Sequence, residues 1–556
     1  MDHLFSAGTR RADLDALGAQ TTDLLVVGGG ITGAGIARDA AMRGLSVGLV
    51  DAGDFAHGTS SRSSRLVHGG LRYLEHGWLR LVFESSRERA VLLRIAPHLV
   101  RPAPFLFPVH RAGRVGRFTL AAGLWLYDAL ALFRNVHPHR SYSRRGVQRL
   151  EPTLRDQDLV GGAVYWDAQC DDARLTLATI RSAHRHGARV ASYAAVTGFE
   201  RAAGRIRGVH VEDRLGGGAP RILHAHVVVN ATGPWTDRVR RLDQPDAAAL
   251  LRPTKGAHVV VPRSRIGHTE AFTLTSPLDG RVMFVLPWGD LSIIGTTDTD
   301  VADVADDPLA DAADVTYLLR SANAYFPNAR LHTGDVVAAW AGLRPLLDVP
   351  GAASTAAVPR EHRIVEDPSG LLTIAGGKLT TFRSMAAEVV DRVVRRLRRL
   401  DGRARPRRAG TDAEALPGGE VADLDLLVRD LTDEGLDAAL ARALVARYGS
   451  EGAAVANLIR RDPALGAPLA PGHAVVAAEV VHQARREMAL TVDDVLVRRT
   501  HLFHAHPAQA VEAAEPVARL LGAELGWDEG ETARRARAYR DLAARMRQAI
   551  TPEPPA

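Results

Sequence analysis

The sequence predicts an α/β fold: a Rossmann-like, doubly wound dinucleotide-binding domain, an inserted antiparallel-sheet substrate domain and a C-terminal all-helical domain. Three observations predict it. The apolar run Leu24-Leu25-Val26-Val27 ends in Gly28-Gly29-Gly30-Ile31-Thr32-Gly33, the glycine turn of a βαβ unit. Strand-to-glycine junctions return at Asn230-Ala231-Thr232-Gly233 and at Ala375-Gly376-Gly377-Lys378, as expected if one extended ligand crosses a sheet. Residues 420–548 carry helical periodicity with almost no strand signal. At 556 residues, 46% hydrophobic and 24% charged, the chain has the balance of a folded protein and excludes a disordered or collagenous one.

Residues 1–21 are polar and mixed in charge and read as a disordered extension, with no apolar segment of a signal peptide. A strand over 23–27, a helix to Arg43 and a second strand over 46–50 follow. Asp51 closes that strand 18 residues past Gly33, where a carboxylate accepts from a ribose hydroxyl. The glycines permit close backbone approach, and the helix start offers N–H groups to a pyrophosphate. The hydroxyl- and glycine-rich stretch Thr59 to Tyr73 reads either as a helix-capping loop or as a loop lying along the ligand.

We assign 22–95, 151–250 and 355–400 to the dinucleotide domain. Residues 96–150 and 251–354 form the inserted cap, where Trp288-Gly289-Asp290 marks a hairpin. An Arg-, Pro- and Gly-rich linker follows at 401–419, then the helical domain, then a tail at 549–556. The only cysteine, Cys170, excludes an internal disulfide and reads as a structural thiol.

The formal charge of +6 does not argue for nucleic acid, because no basic motif is interleaved with aromatics. Only Lys255 and Lys378 among the 70 Lys and Arg side chains are lysines. Where arginine serves for nearly every solvated cation, a retained lysine marks a place where a compact ammonium is wanted. The longest apolar stretch, Phe118 to Phe133, contains Asp128 and has 16 residues, too short to span a bilayer. It reads as an interfacial or buried helix. Arg392 to Arg408 holds nine arginines against one acid, a solvated helix end or a surface for anionic headgroups.

Taken together, several motifs resemble the FAD-dependent, quinone-linked glycerol-3-phosphate dehydrogenases. They are Gly28 to Ala37, Thr59 to Tyr73, Asp171-Asp172-Ala173-Arg174-Leu175, Asn230 to Trp235 and Lys255-Gly256-Ala257-His258. Gly295-Thr296-Thr297-Asp298, Gly342-Leu343-Arg344-Pro345-Leu346 and Gly376 to Phe382 complete the set. The resemblance runs in order over about residues 22–400. It implies FAD, oxidation of sn-glycerol 3-phosphate to dihydroxyacetone phosphate, a membrane quinone as acceptor, and a cytoplasmic enzyme bound peripherally to the inner face of the membrane. Oligomeric state stays open, a homodimer included. The alternatives are an oxidase of the same substrate, or of an amine or amino acid, using oxygen, and a non-catalytic flavin-binding subunit.

On this resemblance the flavin contacts are Gly28, Gly30, Gly33, Asp51, Thr59, Ser60, Ser61, Ser64, His68, Gly69, Gly70 and Leu71. Val196, Ala231, Thr232, Gly233, Trp235, Gly376, Gly377, Lys378, Leu379 and Thr380 continue the set. Arg72, Tyr73, Lys255, Thr297 and Arg360 are assigned to the substrate. His258, Arg344 and Lys378 are the catalytic candidates, and which of them takes the hydroxyl proton is left open. A neutral imidazole suits the base, a planar guanidinium a phosphate or developing oxyanion, and an ammonium can polarise the flavin edge.

Overall fold

Parallel strands buried on both faces are unbroken apolar runs, and such runs make the centre of the first sheet in the computed structural model. The structure describes residues 4–551 except 112, 114, 133, 134, 218, 350–360 and 402–405. Along one path the sheet runs His362–Glu366, Leu372–Gly376, Arg221–Asn230, Thr22–Val27, Val47–Val50, Arg189–Ala191. The last five are parallel, and the edge strand His362–Glu366 is antiparallel. A hairpin of Ala194–Ala202 and Arg205–Asp213 grows from the first half of Arg221–Asn230. The helix Ile31–Met42 packs against Asp172–Arg185 and Phe382–Asp401. That approach is close: a Cβ at Gly35 would lie 2.7 Å from the Phe382 ring.

Among the described residues the second sheet has ten strands. Thr254–Pro262 pairs antiparallel with Leu291–Gly295 on one side and Ala338–Arg344 on the other. His258 therefore stands opposite Gly295 and Trp340. Since strand side chains alternate faces, His258 and Gly256 share the face turned to the site, while Lys255 and Ala257 share the other.

The domain borders differ from expectation in three places. Leu66–Val67 and Leu159–Cys170 belong to the second sheet, so residues 151–170 are cap rather than dinucleotide domain. Pairing with the long strand Val100–His110 outweighs their sequence position beside the first sheet's helices. Residues 7–19 form a helix capped by Ser6, not a disordered extension. Only Leu14 and Leu17 provide its large buried apolar residues, too weak a periodicity to read, and Arg10 fastens it through Asp213 at 2.7 Å. The end of the linker is strapped down as well. Arg38 donates to the carbonyls of Thr411 and Glu414, and Leu416 is fully buried.

Beyond the linker the expected helical domain is found, with its own core around Val480, Phe503, Val517 and Tyr539. Arg174 of the first domain crosses to Glu487 at 2.5 Å, and Arg498 and Arg499 reach Asp54. Among the described residues, no helix is long and apolar enough to cross a membrane.

Candidate active site

The C-terminal ends of the parallel strands converge on one cleft. Gly28 has φ +111°, and a Cβ there would lie 2.6 Å from the Ala231 carbonyl; one at Gly33 would meet the Gly28 carbonyl at 1.9 Å. These two glycines are required by contact, not by composition. Gly30 is the N-cap of Ile31–Met42, and the Ile31 N–H donates to Ser60 Oγ at 2.9 Å. Asp51 accepts from the N–H of Gly29 at 2.6 Å and of Gly53 at 2.8 Å, with His57 Nδ1 at 3.2 Å. Burial pushes its carboxyl up, but His57 and those two N–H groups outweigh this and hold it below the usual range.

His57 stacks on Trp235 with centroids 5.4 Å apart, and the buried Trp235 Nε1 has no hydrogen-bond partner among the described residues. Three single-turn 3₁₀ segments, Thr59–Ser61, Gly233–Trp235 and Leu379–Thr381, edge this region. Thr59 Oγ1 donates to the Leu343 carbonyl, Ser61 Oγ to the Gly58 carbonyl and Thr232 Oγ1 to Asn230. Thr380 Oγ1 accepts from the His68 N–H at 3.3 Å. Gly376 and Gly377 take φ +78° and +92°. Val196 is two residues from Ala194, whose N–H donates to the Asp51 carbonyl at 2.6 Å. A helix N-terminus, a carboxylate at the end of the second strand, glycine turns and an orphaned indole N–H along one line fit a dinucleotide.

Near this cleft the cap and the first domain enclose a cavity of about 550 Å³. Its polar lining includes Ser64, Arg72, Tyr73, Thr296, Asp298 and Arg344. Arg344 lies across Gly256, where a Cβ would be 2.6 Å from Nη2. Its Nη1 donates to Asp298 at 2.8 Å and its Nη2 to Thr296 Oγ1 at 2.9 Å. Burial lowers its pKa and Asp298 opposes the shift. His258 Nε2 is 2.8 Å from Ser64 Oγ, and its ring fills the place of a Gly295 side chain. Burial, then Arg344 and Arg65, push its pKa to about 3, so the ring is neutral.

Lys378 sits 3.6 Å from the Tyr73 ring centroid and 3.4 Å from Ser85 Oγ. Tyr73 itself lies against Gly70, which has φ +82° at the start of the Leu71–His76 turn. The Gly69 N–H donates to Asp167, which also accepts from Tyr127 and pairs with Arg89. Burial, with Lys378 and Arg89 adding to it, lowers His68 to about 4.

Three expected substrate residues fare differently. Lys255 faces away from the cavity and pairs with Asp311 at 2.6 Å and Asp314 at 2.7 Å, at the N-terminus of the helix Ala312–Asn323. Strand alternation dictates this. It is a structural cation, and the rarity of lysine misled. Arg360 lies outside the described residues. Thr297 lines the cavity, but its Oγ1 accepts from the Ala257 N–H. Sequence reasoning missed Arg281, which donates to the Asp298 carbonyl and lines the cavity, and Asp167; neither falls in a glycine-marked motif.

The family described as FAD dependent oxidoreductase matches residues 23–392, and the C-terminal domain of alpha-glycerophosphate oxidase matches 409–532. Glycerol-3-phosphate dehydrogenase 2 of Mycobacterium tuberculosis is 39% identical over 94% of this chain and 88% of its own. The mitochondrial glycerol-3-phosphate dehydrogenase of Homo sapiens is 37% identical over 91% of this chain and 71% of its own. The crystal structure of the glycerol-3-phosphate dehydrogenase from Bacillus halodurans, complexed with FAD, superposes with TM-score 0.81 at 32% identity, covering 99% of each chain. With the cleft and cavity described above, these likenesses place the chain in the family of FAD-dependent glycerol-3-phosphate dehydrogenases.

Proposed function

We propose that the protein oxidises sn-glycerol 3-phosphate to dihydroxyacetone phosphate and passes the electrons to a membrane quinone, working at the cytoplasmic face of the membrane. The observation that carries the first half is in the cavity wall, where the Arg344 fork lines the space and Ser64, in the same lining, is the partner of the neutral His258 imidazole. FAD, when bound, supplies the ring nitrogen that accepts hydride from C2. Arg344 keeps three N–H groups beyond those given to Asp298 and Thr296, enough for a bidentate contact with a phosphate. Arg72 and Arg281 add positive charge to the same wall.

His258 is the best base of the three candidates. Arg344 does not release its proton in this range, and Lys378 is engaged with the Tyr73 ring. The Ser64 hydroxyl marks where a substrate hydroxyl reaches His258 Nε2. The Arg344 charge that depresses this imidazole is offset once a phosphate dianion sits against it, so substrate binding raises the basicity of its own base.

The other half rests on the apolar lining of the cavity. Phe105, Phe107, Val115, Leu120 and Leu126 line it. Leu120 and Leu126 belong to the helix Arg117–Leu130, whose outer face exposes Phe118 (90%) and Trp125 (61%). Leu79 and Phe83 are exposed on the helix Leu79–Ile95, which packs against it. Exposed aromatic residues on a helix that also lines the cavity suit a headgroup boundary and an isoprenoid-tailed acceptor.

The test is an anaerobic titration of the holoenzyme with sn-glycerol 3-phosphate, following flavin absorbance. Bleaching that a quinone analogue reverses quickly, and oxygen slowly, supports the dehydrogenase. Rapid reoxidation by oxygen gives an oxidase, and no bleaching withdraws the substrate.

A further inference from the structure

The C-terminal domain lines no part of the cavity, yet two of its residues reach the layer directly behind His258. His501 caps, and His504 lies within, a one-turn helix, Leu502–Ala505, that begins from a left-handed His501 at φ +59°. Trp340 is the cross-strand partner of His258, and the rings stack 5.1 Å apart at 15°. His504 also packs against Trp340, with centroids 5.0 Å apart and the rings tilted at 56°. The three rings are between 1% and 3% exposed.

A second arm comes from His501. Its Nε2 is 2.8 Å from Asp171 Oδ2 and its Nδ1 is 3.3 Å from Arg65 Nη2. The Arg65 guanidinium lies over the rings of Trp288 and Trp340 at 4.3 and 5.4 Å. Arg65 also adjoins Ser64, the hydroxyl partner of His258. Both the ring stack and the Ser64 contact of His258 are thus braced by one short helix of another domain. The contacts of His504 and Arg65 limit how far Trp340, and with it the stacked His258, can slide or tilt, and a reacting group displaced by about 1 Å loses on the order of 10²-fold in rate.

We infer that His504, with His501, is a positioning element for the oxidation: the C-terminal domain holds His258 at its reacting angle through Trp340 and Arg65. This rests on the proposed base role of His258. It gives the C-terminal domain a part in the chemistry of a site that it does not touch.

The test compares His504→Leu and His504→Phe in the full-length holoenzyme, by FAD content, KM for sn-glycerol 3-phosphate and the anaerobic rate of flavin reduction. Leucine fills most of the space but offers no ring; phenylalanine restores the ring without its nitrogens. His504→Leu is expected to keep FAD, hold KM within two-fold and reduce at least ten-fold more slowly. His504→Phe should stay within three-fold of wild type. Wild-type reduction in His504→Leu overturns the proposal, as does equal slowing in both variants, which would place the role in the imidazole nitrogens. Loss of FAD marks a scaffold role and overturns it as well. If the wild type itself is not reduced, the substrate reading fails separately. The stack is then judged by crystal structures, in which His258 should leave Ser64 in His504→Leu and not in His504→Phe; an unmoved His258 refutes it.

Discussion

Replacing Arg344 by alanine separates phosphate recognition from hydride transfer. Asp298 would keep Arg281, at 3.5 Å, and Thr296 Oγ1 still donates to the Thr297 carbonyl, so the strand ends that carry them retain partners and the fold should hold. What is lost is the fork aimed into the cavity. Two charge-assisted hydrogen bonds to a phosphate at about 1.5–3 kcal/mol each come to about 3–6 kcal/mol, or about 10²- to 10⁴-fold in kcat/KM. Anaerobic flavin reduction should show the loss mainly in KM, because a phosphate contact is the same in the ground state and the transition state. Glycerol, which lacks the phosphate, should react slowly and equally with both enzymes. A loss below about five-fold would show that Arg344 does not hold the substrate. An equal loss for glycerol would move it to the reacting oxygen and refute the phosphate assignment.

Lys378→Ala should retain FAD yet slow flavin reduction by about 10²-fold, the scale of one removed electrostatic stabiliser; unchanged reduction removes Lys378 from the mechanism. Lys255→Met should leave KM within two-fold but lower the urea midpoint, since Asp314, 6% exposed, loses its cation at a cost of about 1–3 kcal/mol; a raised KM with unchanged stability would return Lys255 to the pocket. Burial holds His258 and His98 at about 3, and His68 and His482 at about 4. Each folded value lies below that of the exposed ring, so the unfolded chain takes up protons first, and stability present above pH 6.5 is lost as pH falls toward 4 and 3. At pH 5.5 the loss is about 1.4 kcal/mol per imidazole; equal urea midpoints at pH 7.5 and 5.5 would contradict it. Phe118→Ser with Trp125→Ser should weaken vesicle binding about ten-fold and spare activity with a soluble dye, whereas undiminished binding would locate the membrane face elsewhere.

The dinucleotide cleft was legible because each of its signals is local. Gly28 and Gly33 are forced by carbonyls a few residues or one strand away, and Asp51 by its place at a strand end. The cap was less legible. Nothing in Leu159 to Cys170 distinguishes a strand of the first sheet from one of the second, because both are apolar and the choice is made by the partner, Val100–His110. Lysine scarcity singled out one lysine that lies beside the cavity residue Tyr73 and one that points away from the cavity. Lys378 follows paired left-handed glycines that aim it at the site, whereas Lys255 sits one residue out of phase with His258, and strand alternation was available in the sequence to exclude it. Arg281 and His504 had no signal at all, the first among 68 arginines and the second in a domain read only for its helices.

The shape of the cavity bears on how one chamber could serve two half-reactions. Among its lining residues Arg344 and Arg281 are both joined to Asp298, while Phe105, Phe107 and Leu120 pack in one apolar cluster. A phosphorylated triol is excluded from the apolar lining by the cost of desolvating its dianion, and an isoprenoid tail gains nothing among guanidinium groups. Segregation along one cavity would let reductant and acceptor approach a shared flavin from different sides without competing for the same contacts. That arrangement predicts that an apolar acceptor analogue raises KM for glycerol 3-phosphate by less than two-fold at saturation. Strict competition between the two would mean a single overlapping site, and the division of the cavity lining into polar and apolar residues would then carry no functional weight.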